Sequence, residues 1–172
     1  TQTLRDGGVL AGTGITAGAG GNDQLQLDNA TALAFDGGQT AGFERLLKTS
    51  AGTATMTGSQ AFTAGTMYGP GTLDVDGTQE RPAIMLADGT LLNVDGTVGA
   101  AGATQSLIVG SVGDNTVAVG VGGTLRANGD LGNGNDVLDV AGTLDTGAGI
   151  LALGDGDGTL TIHENTNIVG TG

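Results

Sequence analysis

Paired apolar residues at positions i and i+2, each pair bounded by Gly, Asp or Asn, recur along the whole chain and constrain its fold most strongly. The runs include Asp23 to Leu27, Thr72 to Gly77, Asn115 to Val121, Asp136 to Val140, Ile150 to Leu153 and Thr159 to Ile162. In a strand Leu73 and Val75 fall on one side and Asp74 and Asp76 on the other, so one face is buried and one is wet. Val75, Val94, Val117, Leu138 and Leu160 follow one another at a nearly constant interval of roughly 21 residues, a period typical of solenoid repeats. Two further short strands lie between Leu138 and Leu160, around Leu144 and around Leu151 to Leu153. A unit of three short strands cannot bury its inward side chains alone, whereas stacked units form a continuous core. The spacing therefore predicts an all-β chain, a single-stranded parallel β-helix. It would be a three-sided solenoid of about eight coils of roughly 21 residues, running through 1–172 as one segment.

Composition agrees with strands and turns. The acids divide into 15 Asp and 3 Glu, and Asp suits turns and caps where Glu suits helix interiors. Thirty-six glycines leave no Gly-free stretch longer than Asn22 to Asp36, so no long helix fits. Leu, Ile, Val and Phe make up about 23% of the chain, close to the range of disordered sequences, and the periodicity decides against disorder. An antiparallel sandwich or barrel also uses short strands with frequent turns. Its hairpins would not require so regular a recurrence, and its core usually holds more than the four aromatics present here.

Composition also excludes partners. Arg5, Arg45, Lys48, Arg81 and Arg126 are scattered among 18 acids at a net charge of −13, which no phosphate backbone would approach, so no nucleic acid is expected. There is no apolar run of membrane-spanning length, no signal-peptide pattern and no Cys. Two stretches break the pattern. Residues 79–88 carry Pro82, which removes a ladder donor, and read as a loop. Phe43 to Lys48, with charges beside Leu46 and Leu47, reads as a second loop or strained corner.

The stretch Leu46 to Val75, LLKTSAGTATMTGSQAFTAGTMYGPGTLDV, resembles the passenger-associated transport repeat of bacterial autotransporters. Lys48, Gly52, Thr53, Thr55, Thr57, Gly58, Gly65, Thr66, Gly71, Thr72, Leu73 and Val75 fall on matching positions. Met56 stands for Leu, Phe62 for Tyr and Gln60 for Asn, while Ser50, Ala54 and Ala64 depart from the pattern. The transport-repeat-like region spans 43–78. This resemblance implies a right-handed β-helical segment of a longer passenger. Such passengers are exported through a C-terminal outer-membrane barrel and held at the cell surface or released. It implies a structural or adhesive role, with a host-cell or matrix component, or like chains, as partner.

Catalytic and metal-binding readings are weaker. Leu131 to Asp139, LGNGNDVLD, matches most of the calcium-binding β-roll repeat, as does Gly154 to Thr161 in part. Those copies lie a full coil apart instead of in tandem, and the position of Asp136 becomes Gly158 in the second. Structural turns are expected, with Asp136, Asp155 and Asp157 as weak calcium candidates and no cofactor. The pairs Asp74/Asp76 and Asp136/Asp139 would need aromatic or basic sugar-binding groups to serve glycoside chemistry, and these are nearly missing. His163, the only histidine, should point to solvent, and no catalytic residue is expected. Threonine pairs such as Thr53/Thr55 and Thr159/Thr161 do not recur in the coils between, which excludes a flat threonine array.

The sequence expectation is thus a non-catalytic adhesin or self-association stalk. The alternatives are an inert scaffold bearing a toxin, protease or receptor-binding head elsewhere, and more distantly a carbohydrate-active β-helix. Met67, Tyr68 and Pro70 form a candidate contact surface, although Phe62 and Tyr68 are expected to pack into a solenoid corner.

Overall fold

The computed structural model of the protein describes residues 1–8, 14–80, 83–99 and 105–171. Its strands stack in parallel into a solenoid of about seven turns with a repeat of about 21 residues, and the described residues contain no α-helix. Three faces run the length of the rod. The first carries Gln2–Arg5, Gln24–Asp28, Arg45–Lys48, Gly65–Tyr68, Ile84–Leu86, Ser106–Ser111 and Leu151–Ala152. The second is an unbroken seven-stranded sheet: Leu33–Asp36, Thr53–Thr57, Gly71–Val75, Thr90–Val94, Thr116–Val119, Val137–Val140 and Thr159–Ile162. The third holds shorter strands, from Ser59–Gln60 to Asn167–Gly170. One long strand, Thr124–Gly132, runs from the third face onto the first and joins the two.

The core consists of columns set by this register. On the second face Leu33, Ala54, Leu73, Leu92, Val117, Leu138 and Leu160 stack in one column. Phe35, Met56, Val75, Val94, Val119, Val140 and Ile162 stack in the next. The series Val75, Val94, Val117 read from the sequence therefore crosses between two columns, because Val117 pairs with Leu92 and Val94 with Val119. The longest step along a column, from Leu92 to Val117, includes a longer connection between Thr97–Val98 and Ser106–Ser111. Corners absorb length differences, while columns tolerate none, since a one-residue slip would turn the inward set outward.

Both expected interruptions contain strands instead. Arg45–Lys48 is a full member of the first face, with Leu46 and Lys48 inward. Within 79–88, Gln79 belongs to the strand Thr78–Gln79 and is buried, and Ile84–Leu86 pairs on both sides. Glu80, Ala83, Ala87 and Asp88 lie outside any strand, in keeping with the expected loop, while Arg81 and Pro82 lie outside the described residues. Charge and a proline masked an alternation that the neighbouring coils impose.

The aspartates act through their oxygen atoms. Every described non-Gly residue has a negative φ except Asn165, so Asp does not supply the left-handed turns. Instead its carboxylate accepts backbone N–H groups at the corners, often one coil ahead. Asp6 accepts from Ala30 (3.1 Å) and Thr31 (3.0 Å), Asp88 from Gly113 (3.0 Å) and Asp114 from Asn135 (2.7 Å).

Adjacent residues of one strand provide the test of this architecture. Leu92 is fully buried, while Asn93 faces outward. Leu92→Ala should cost about 2–5 kcal/mol and Asn93→Ala no more than about 0.5 kcal/mol by denaturant unfolding. Equal costs would contradict the face assignment.

Candidate interaction surface

On successive coils the first face departs from the usual apolar-in, polar-out alternation. Outward positions of Arg45–Lys48, Gly65–Tyr68, Ile84–Leu86 and Ser106–Ser111 align Leu47, Met67, Met85 and Val109 in a single column. Met67 and Met85 are each 47% exposed and Val109 42%, with Leu107 beside it at 46%. Beside this column run Arg45 and two small residues, Gly65 and Ala83. The small residues leave a groove of about 150 Å³ lined by Arg45, Leu47, Gly65, Met67, Ala83 and Met85. An apolar strip with one guanidinium on a rod of net charge −13 makes this face the candidate contact surface.

Polar groups lie directly beneath it. Tyr68, fully buried, donates to Gln79 Oε1 (2.7 Å), and Gln79 Nε2 donates to Thr66 Oγ1 (2.8 Å). This chain of bonds crosses the interior from the first face to the third. Burial pushes the Tyr68 phenol well above its ordinary value. Lys48 is also buried, and its Nζ donates to the carbonyls of Ser50 and of Pro70 (3.0 Å for the latter), tying successive corners together. Burial lowers its pKa.

The positions on which the resemblance to a transport repeat rests therefore have mainly architectural places. Phe62, Leu73 and Val75 are core, while Thr53 and Thr55 lie on the outward side of the second face. Thr55 Oγ1 reaches Asp74 Oδ2 at 3.4 Å. Gly58 and Gly71 both have positive φ, and a Cβ on either would collide with the preceding coil, at the Asp36 carboxylate and the Ala51 carbonyl respectively. Gly52 is equally pressed against the backbone of Asn29 and Thr31. Of the expected contact residues, Met67 and Pro70 are exposed, but Tyr68 is wholly inside because it occupies an inward position. Leu47, Met85, Leu107 and Val109 went unread, since their exposure depends on register within runs that look uniformly apolar.

The remaining titratable groups are dispersed. His163 is exposed as expected and meets Asp139 at 2.6 Å. Asp155 and Asp157 are exposed while Asp136 is buried, and among the described residues no three His, Asp or Glu side chains converge as a metal-ligand set. Thr55, Asp74, Asn93, Ala118, Asp139 and Thr161 share one outward column, so the threonines form no continuous array.

The chain has a single tyrosine, which makes the buried network directly observable. Above pH 10, the ordinary phenol value, the unfolded chain loses the Tyr68 proton and the folded chain keeps it. Unfolded protein then binds fewer protons, so stability falls as pH rises. Tyrosinate absorbance should appear only with unfolding, and Tyr68→Phe should flatten this part of the alkaline decline in melting temperature. Tyrosinate absorbance at its ordinary pH in folded protein would contradict the buried network.

Compared with known proteins, the chain matches no family model, no curated protein and no solved structure.

Proposed function

We propose that this chain is a non-catalytic structural and adhesive segment of a surface-displayed passenger of the autotransporter type. Its contact surface is the outward column Leu47, Met67, Met85 and Val109. The observation that carries the reading is this column of outward apolar side chains aligned on four successive coils of the first face, where the other exposed apolar residues, such as Val112, Val121 and Ile150, lie apart from it. Exposed methionines are adaptable contact groups, able to repack against partners of varied shape. The resemblance of Leu46 to Val75 to a passenger transport repeat supports export and surface display, and the strip lies partly within that stretch. A host-cell or matrix component is the leading partner. Self-association of like chains would have to overcome the repulsion of two rods of charge −13, and so would strengthen with salt.

The test is binding of the whole chain to cells and to immobilised matrix proteins, with the double variant Met67→Lys, Met85→Lys as comparison. Both residues are half exposed, so the fold should survive, as circular dichroism would verify. Adhesion should fall about tenfold or more if the strip is the contact centre. Wild-type chain that binds neither cells, matrix nor itself would leave the inert-scaffold reading in its place.

A further inference from the structure

At the corners between the first and second faces three buried side-chain oxygens lack a hydrogen-bond partner: Asn29 Oδ1 alone near one end, and Asn115 Oδ1 and Asp136 Oδ2 together in successive coils. Asn115 and Asp136 stand at equivalent positions in successive coils, each just before a strand of the second face, where Thr116 pairs with Val137. Their exposures are 1% and 0%. Asp136 Oδ1 accepts the Asn115 backbone N–H at 2.7 Å, while Asp136 Oδ2 and Asn115 Oδ1 have no partner. The orientation of the amide is fixed. Asn115 Nδ2 donates to the Gly113 carbonyl (2.7 Å) and reaches Ser111 Oγ (3.2 Å) and the Leu131 carbonyl (3.5 Å). Exchanging nitrogen and oxygen would set an acceptor against the two carbonyls and lose the 2.7 Å bond to Gly113.

Two buried acceptors, one on a carboxylate, require a donor or a cation. In the next coil Gly158 takes this position, so no side chain reaches up from there. The described side-chain ion pairs are Arg5–Asp28, Arg126–Asp145 and His163–Asp139, and Lys48 is held by carbonyls, so none of these cations serves Asp136. We propose that Asp136 Oδ2 and Asn115 Oδ1 are ligands of a calcium ion seated at this corner. An all-oxygen donor set of carboxylate and amide selects a hard cation, and one carboxylate places the affinity in the weak, roughly millimolar range. Exposed Asp114, Asp155 and Asp157 belong to the same stack of turns and raise the local cation concentration. Asp136 is also the aspartate of the Gly-x-Gly-x-Asp run, so sequence and buried geometry independently single out one residue.

Thermal unfolding of the full chain tests this, in chelator, in calcium, in magnesium, and in NaCl of matched ionic strength. At calcium several times the dissociation constant, the melting temperature should rise about 2–4 °C beyond the NaCl control. Magnesium should do less. Asp136→Asn keeps the side-chain size and an acceptor for the Asn115 N–H, and it should lose only the calcium-specific part. An equal calcium shift in Asp136→Asn would overturn the proposal, assigning the effect to the exposed aspartates. No calcium-specific shift in the wild type would also overturn it, leaving the oxygens to water. Should the variant not fold, calorimetric titration of wild-type chain decides: one saturable calcium site per chain supports the proposal, and none overturns it.

Discussion

Each coil of this protein is stable only through its neighbours. The inward side chains of one turn are covered by those of the turns above and below, so burial is a property of the stack. The two columns of the second face display the dependence within a single chain. Leu138, with a coil on each side, is 3% exposed, whereas Leu160 in the same column is 53% exposed at the last described turn, and Ile162 is 55% exposed. Leu138 and Leu160 are chemically identical. Among the described residues a strand pairs on both sides of Leu138 and on one side of Leu160.

Parallel stacking also explains why so acidic a chain can fold. Coils meet at corners where backbone N–H groups leave the ladder, and a short carboxylate placed there accepts them. Asp is long enough to reach the next coil's turn, and Asp6 does so with both oxygens. These bonds favour the charged form: Asp6 is held below the usual carboxylate range chiefly by the Thr31 backbone N–H, and Asp28 chiefly by the Ser50 hydroxyl. Their contribution is complete above the ordinary value of 3.8 and is lost as pH falls through the lowered folded values. The negative charge that looked adverse by composition is thus partly committed to backbone bonds.

The same physics sets what a sequence reader could see. Inward pairs such as Leu73/Val75 and Val117/Val119 were legible because a wet face alternates with a dry one over several residues. The strands at Arg45–Lys48 and Ile84–Leu86 were not, because their outward residues are Leu47 and Met85 and the alternation vanishes. Local pattern cannot assign such a strand; pairing with the coils on either side does. The burial of Asp136 was hidden for a related reason, whereas that of Tyr68 was expected. Each sits at an inward position of its coil, and a column of neighbours, not its own polarity, decides its exposure.

The first face carries this logic furthest. On the coils of Arg45–Lys48 and Gly65–Tyr68 the inward set includes Lys48, Thr66 and Tyr68, and the outward set Leu47 and Met67. Polar groups inside and apolar groups outside invert the usual preference, and each half of the inversion needs its own support. Inside, the Tyr68–Gln79–Thr66 bonds and the carbonyls around Lys48 satisfy the polar atoms, and such satisfied networks fix a single arrangement. Outside, Met67 and Met85 each stay about half exposed. A rigid floor beneath adaptable side chains reduces the ordering cost that contact would otherwise carry. In the inverted coils, therefore, the fold's own stability gives little reason for the outward residues present, and for that reason the proposed contact surface is placed there.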